Sequence, residues 1–216
     1  AAQVSRLLTV NKGSQTITFN ALPEVTYGDP DIDPAATSSS SLPVTYSSSD
    51  PSVAVISGNM IHIIGAGTTV ISAAQEGNED FDAAPVVQQQ LTVRKAGQLI
   101  TFSAIPYHVY GDGPIVLTAT ASSGLTVGYS SSNTAVAVIS GETIVITGAG
   151  TAQITASQAG NSNYESAADE QQTLVVDKAG QTINFGALSP VAFGVSDFSP
   201  AAVSNSGLDI SYSSSN

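Results

Sequence analysis

Val53-Ala-Val-Ile-Ser-Gly-Asn-Met-Ile-His-Ile-Ile-Gly-Ala-Gly-Thr-Thr-Val-Ile-Ser-Ala73 alternates large apolar residues with small or polar ones at a period near two. That period belongs to strands with one buried face, because successive Cβ atoms leave a pleated sheet on opposite sides. Ser57-Gly58-Asn59-Met60 puts glycine first in a two-residue loop, as a type II′ hairpin turn requires. Gly65-Ala66-Gly67 then turns the chain into Thr69–Ala73. Upstream, Gln15-Thr-Ile-Thr-Phe19 sets Ile17 and Phe19 on one face, and Leu42, Val44 and Tyr46 alternate with Pro43 and Thr45. Leu91-Thr-Val93 repeats the pattern downstream. No stretch of helical length holds a 3.6-residue period, so no helix is expected. Alternation predicts a core of Phe19, Tyr27, Leu42, Val44, Tyr46, Val53, Val55, Ile61, Ile63, Ile71, Leu91 and Val93.

The pattern recurs along the chain, so the counterparts of these core residues 83 positions on are expected to be buried as well. Lys12-Gly-Ser-Gln-Thr-Ile-Thr-Phe19 returns as Lys95-Ala-Gly-Gln-Leu-Ile-Thr-Phe102 and as Lys178-Ala-Gly-Gln-Thr-Ile-Asn-Phe185. The offsets are 95 − 12 = 83 and 178 − 95 = 83. Tyr27-Gly-Asp matches Tyr110-Gly-Asp and Phe193-Gly, and Gly65-Ala-Gly-Thr68 matches Gly148-Ala-Gly-Thr151. A period of 83 residues exceeds the roughly 20–50 residues of a solenoid unit. It suits a small domain that closes its own core, and about seven short strands per unit point to an immunoglobulin-like β-sandwich. The chain therefore reads as all-β tandem domains: 12–94 and 95–177 as complete repeats, and 178–216 as the N-terminal half of a further one. Residues 1–11 align with 84–94 and are expected to be the last strand of a preceding repeat. Only about four residues join one unit's last strand to the next unit's first, with no Pro-rich or Gly/Ser-rich spacer, so stiff coupling is expected.

Composition narrows the function. Seventeen acidic residues against five basic give a formal charge of −12, which excludes binding to nucleic-acid phosphate through a basic patch. No run approaches the length of a membrane span. With no cysteine, neither a disulfide framework nor a Cys-based zinc site is available.

Ser48-Ser-Asp-Pro-Ser-Val-Ala-Val-Ile-Ser57 through Ala73 resembles group 2 bacterial immunoglobulin-like domains. So does Ser131-Ser-Asn-Thr-Ala-Val-Ala-Val-Ile-Ser140 with Gly148-Ala-Gly-Thr-Ala-Gln-Ile-Thr-Ala156. With the Lys-Ala-Gly-Gln opening and the Gly77-Asn78 and Gly160-Asn161 loops, the chain looks like the tandem repeats of giant cell-surface adhesins of gliding bacteria. That resemblance implies an extracellular, cell-surface, non-catalytic module: a structural stalk or fibre-forming repeat region. The alternative is a surface-recognition module that binds polysaccharide or ice through an exposed strand face. The expected partners are neighbouring copies of the same repeat, including other protomers in a fibre that add strands to the open half-unit. Neither nucleic acid nor membrane insertion is expected of this segment, and no cofactor.

Candidate chemistry is sparse. His62 and His108 are replaced by Val145 and Val25 in the matching copy, which marks them as strand residues with a wet tip. No Gly-x-Ser-x-Gly elbow is present. Two carboxylate clusters offer weak calcium candidates, since calcium takes six to eight hard oxygens. Asp29, Asp31 and Asp33 alternate along one extended stretch, and Glu76, Glu79, Asp80 and Asp82 crowd one loop. The second copy keeps Asp112 at the first place and Asn161, Ser162, Asn163 and Glu165 at the second. Lys12, Lys95 and Lys178 open the units, where exposure is expected.

Overall fold

The computed structural model describes residues 3–215. Among them every regular element is a strand. The first copy supplies β1 (Ile17–Thr18), β2 (Val25–Thr26), β3 (Thr37–Ser38), β4 (Thr45–Ser48), β5 (Ala54–Ser57), β6 (Met60–Ile63), β7 (Gly67–Ala74) and β8 (Val87–Arg94). One sheet has the order β2-β8-β7-β4. β2 runs parallel to β8, with Val25 opposite Val93, while β7 pairs antiparallel with both neighbours. The other layer holds the β5–β6 hairpin, the β1–β3 pair and a bridge from Ile32 to Ile61. Between the layers lie Ile17, Phe19, Ile61, Ile63, Ile71, Leu91 and Val93, all buried. Two antiparallel layers around one core, with an early strand running parallel to the last, form an immunoglobulin-like sandwich.

The second copy repeats this order. His108–Val109, Glu170–Asp177, Gly150–Ser157 and Gly128–Ser131 make its four-stranded sheet, and His108 lies parallel and opposite to Val176. Ala137–Ser140 and Thr143–Ile146 form the matching hairpin, joined by Ile115–Val116. Gly58 at φ 62° and Gly141 at φ 61° carry the two hairpin turns, the positive φ that type II′ demands at its first position. An exposed pair links the early and last strands in each copy. Arg94 donates to Glu24 through two nitrogens at 2.6 and 2.7 Å, and 83 residues on Tyr107 donates to Asp177 instead. Arg94 holds the Glu24 carboxyl below its ordinary range, and Asp177 holds the Tyr107 hydroxyl above its own.

The glutamine three residues after the opening lysine is buried in both full copies, as Gln15 and Gln98, although its place in sequence points to no role. Gln15 donates to the Gln75 side chain at 2.6 Å and to the Asp82 carbonyl at 2.7 Å, and accepts from Ser40. Gln98 makes the same set with Gln158, Glu165 and Ser123. Each pins the start of a unit to the loop before its last strand. Replacing Gln15 with leucine takes the donor from the Asp82 carbonyl and leaves Gln75 Oε1 with the Gly77 amide alone. We expect a loss of about 1–3 kcal/mol in urea unfolding, the cost of unsatisfied buried polar groups.

Four expectations change on contact with the structure. Val55 stands opposite His62 on the outer face, and Ala54 and Ile56 face inward opposite Ile63 and Ile61. The cause is a turn at Asp50–Val53, closed by the Val53 amide on the Asp50 carbonyl. It delivers Val53 to the core before the strand begins, and a one-residue offset flips the faces. Val138, the counterpart of Val55, is accordingly exposed. Tyr110 is 50% exposed, unlike half-buried Tyr27, whose ring contact is described below. Residues 3–11 take no strand, and Leu8 and Val10 are exposed although they align with buried Leu91 and Val93. Leu91 lies beside β7, whereas Leu8 has no strand beside it among the described residues. Residues 1 and 2 of that segment lie outside the described residues.

The half-unit is ordered but open. Ile183–Asn184 pairs with Val203–Ser204, yet Ile183 is 58% exposed where Ile17 is 8% and Ile100 is 7%. Phe185 is likewise exposed where Phe19 and Phe102 are buried. By contacts the chain falls into two compact units: residues up to 102 with 119–128 and 156–170, and residues 103–118, 129–155 and from 171 on.

Candidate functional site

Of the carboxylates singled out in sequence, Asp29 and Asp33 hold turns. Asp29 accepts from the Thr26 amide at 2.8 Å, and Asp33 from the Ala35 amide at 2.9 Å. Asp31 meets His62 Nδ1 at 2.6 Å on the outer face of the sandwich. In the second cluster the organiser is Asn78, whose Oδ1 accepts from the amides of Asp80 and Phe81 at 2.9 and 2.8 Å. Glu76, Glu79, Asp80 and Asp82 all project into solvent. Among the described residues no three His, Asp or Glu side chains gather as a metal-holding group. We expect millimolar calcium to leave the melting temperature unchanged; a rise of several degrees would show a calcium site.

The remaining polar groups are structural in the same way. His108 Nδ1 lies 3.1 Å from Asp112, and that carboxyl, which also accepts from the Val109 amide, sits below its usual range, the amide being the larger cause. In the Ser47–Ser49 tract, Ser48 and Ser49 hydrogen-bond the buried Thr69 hydroxyl at 2.9 and 3.2 Å. Asp50 takes two hydrogen bonds from Ser52, side chain and amide, which lower its pKa. Lys12, Lys95 and Lys178 are exposed.

The site that sequence reasoning missed lies where the first copy meets the second, within one compact unit. Asn161 builds the loop, accepting from the Asn163 and Tyr164 amides at 2.8 and 2.9 Å. The Asn163 carbonyl takes the Ala96 amide at 2.9 Å, and the Ala96 carbonyl takes the Glu165 amide at 2.9 Å. So fixed, the loop presents two side chains to the first copy. Asn163 Oδ1 accepts from the Ala66 amide at 3.0 Å. Tyr164 packs edge-on to Tyr27, with ring centroids 5.5 Å apart and planes at 84°. Such aromatic pairs add about 0.5–1.5 kcal/mol beyond their buried area. Gly65 permits the approach: a Cβ there would stand 2.6 Å from the Ser52 carbonyl oxygen and 3.2 Å from Asn163 Oδ1. The signal available in sequence was Gly-Asn-x-Asn/Asp-aromatic, present at both 77–81 and 160–164.

No protein-family model matches the chain, and neither does any curated protein. Several solved structures are similar to it. Drosophila N-cadherin EC1-4 is 12% identical with a TM-score of 0.32, over 77% of this chain and 50% of that one. Domains 1–6 of the surface layer protein SbsC are 15% identical with a TM-score of 0.34, over 79% and 29%. The human Desmocollin-1 ectodomain is 10% identical with a TM-score of 0.31, over 77% and 42%. This chain spans half or less of the length of each. The likeness is one of fold alone. Among the described residues no helix is long and apolar enough to cross a membrane.

Proposed function

We propose that this chain is a non-catalytic stalk segment of a large extracellular, cell-surface adhesin, built from 83-residue repeats that dock on one another. The observation that carries the reading is the repeat-to-repeat contact of Ala66 and Tyr27 with Asn163 and Tyr164. A recognition module needs an exposed, shaped face; a stalk needs each repeat fastened to the next. The outward positions Thr16, Thr18, Pro43 and Thr45 become Leu99, Thr101, Thr126 and Gly128 one repeat on. All are exposed, and they form no common ladder of hydroxyls or rings.

The open half-unit fits the same reading. Ile183, Phe185, Leu208 and Tyr212 present an apolar face that the later strands of a repeat would cover, supplied by another copy of the same kind of domain. A glycan array with the full chain tests the function. The stalk reading expects no carbohydrate signal, and a clear dose-dependent hit would favour the surface-recognition alternative instead.

A further inference from the structure

In the second copy the residues that receive the loop at the first junction are present, correctly placed and unfilled. Tyr110, Ala149, Ala179 and Gln181 stand 83 residues after Tyr27, Ala66, Ala96 and Gln98. All four line one cavity of about 850 Å³. At the first junction each has a partner on the 158–165 loop. At the second, each lacks that partner among the described residues. Ala66 donates to Asn163, but among the described residues the Ala149 amide has no acceptor. Tyr27 is half-buried against Tyr164, but Tyr110 is 50% exposed. Ala96 exchanges two backbone hydrogen bonds with the loop, as Gly13 does with Asp80 and Asp82, but Ala179 makes none among the described residues. The side-chain nitrogens of Gln15 and Gln98 each donate twice, whereas that of Gln181 has no acceptor among the described residues while its oxygen still accepts from Ser204 and Ser206.

We infer that this cavity is a docking seat for a Gly-Asn-x-Asn/Asp-aromatic loop, belonging to a segment that completes the repeat opened at Lys178. The inference rests on the stalk reading and adds its contact chemistry. The arriving side-chain oxygen accepts from the Ala149 amide, the aromatic ring packs edge-on to Tyr110, and the loop backbone bridges Ala179 while Gln181 donates to it. The 77–81 loop of a second copy carries the same residue types, but its backbone is already bonded to its own Gly13. An intact second copy therefore cannot fill the seat. The occupant must come as an unpaired segment of repeat chemistry.

The test extends the full chain past Asn216 with a second copy of residues 134–177, in register because Asn216 aligns with Asn133. Amide hydrogen exchange is read at Ala66 and Ala149. Exchange at Ala66 is slow in both chains. At Ala149 it is fast in the 216-residue chain and slows by about tenfold or more in the extended one, as a newly formed hydrogen bond requires. Changing the appended copy of Asn163 to alanine returns Ala149 to fast exchange and leaves Ala66 slow. A folded, protected extension beside a fast Ala149 overturns the seat while leaving the stalk reading intact. An extension that stays unprotected throughout overturns both. In the 216-residue chain, Asn163→Ala should free Ala66 without changing Ile71. An unaffected Ala66 would also overturn the inference.

Discussion

Replacing Ile71 with alanine is expected to destabilise the first copy by about 2–5 kcal/mol, the range for truncating a fully buried isoleucine in a core that relaxes only in part. Ile71 has no exposed surface. It sits on β7, a strand flanked on both sides within its sheet, so neighbouring backbone cannot move in to fill the void. Ile154, its counterpart 83 residues on, is equally buried, and Ile154→Ala should cost the second copy as much. The half-unit supplies the contrast. Ile183→Ala removes a side chain that is already 58% exposed and should change stability by less than about 0.5 kcal/mol. Urea unfolding of the three variants checks all of this. A cost at Ile183 equal to that at Ile71 would mean that the half-unit has a closed core in solution.

The second large effect is expected at Gly160. Its φ is +78°, a conformation in which a non-glycine residue costs about 1–3 kcal/mol. A Cβ there would also press on the Tyr164 carbonyl oxygen and stand 2.7 Å from the carbonyl carbon of Glu165. Backbone has to move, and the segment that moves carries Asn163 and Tyr164. Gly160→Ala is therefore expected to cost more than the strained φ alone. It should also loosen the Ala66 hydrogen bond, seen as faster amide exchange. Gly97→Ala is the control, because a Cβ at Gly97 meets nothing within 4 Å. Equal melting temperatures for the two variants would show that the loop is not the fixed element described.

Much of the fold was legible because period-two alternation and glycine turns are local signals. The Val53–Ala73 stretch carried both, and the hairpin at Gly58 and the core at Ile61, Ile63 and Ile71 follow from it. Val55 was misplaced because a turn, not a strand, delivers Val53 inward, and alternation cannot see where a strand starts. The burial of Tyr27 was read as a property of its own repeat. Tyr27 packs against its own core and against Tyr164 of the next repeat, whereas its counterpart Tyr110 is exposed. The site was harder to read. Charge drew attention to Glu79 and Asp80, whereas the working atoms are the neutral Oδ1 of Asn161 and Asn163, which organise the loop and seat it. Gln15 and Gln98 were hidden for a related reason. A polar residue in an opening motif reads as surface until its partners, 60 and 67 residues away in sequence, are placed beside it.

The proposed stalk requires each full copy to resist force on its own and the open half-unit not to. Pulling single molecules of the full chain from end to end tests it most directly. The expected trace has two force peaks, each releasing the 83 residues of one repeat, about 300 Å of chain at roughly 3.6 Å per residue. The 178–216 segment should extend before either peak without a peak of its own. One peak releasing both copies together, or a third peak from the half-unit, would contradict the claim.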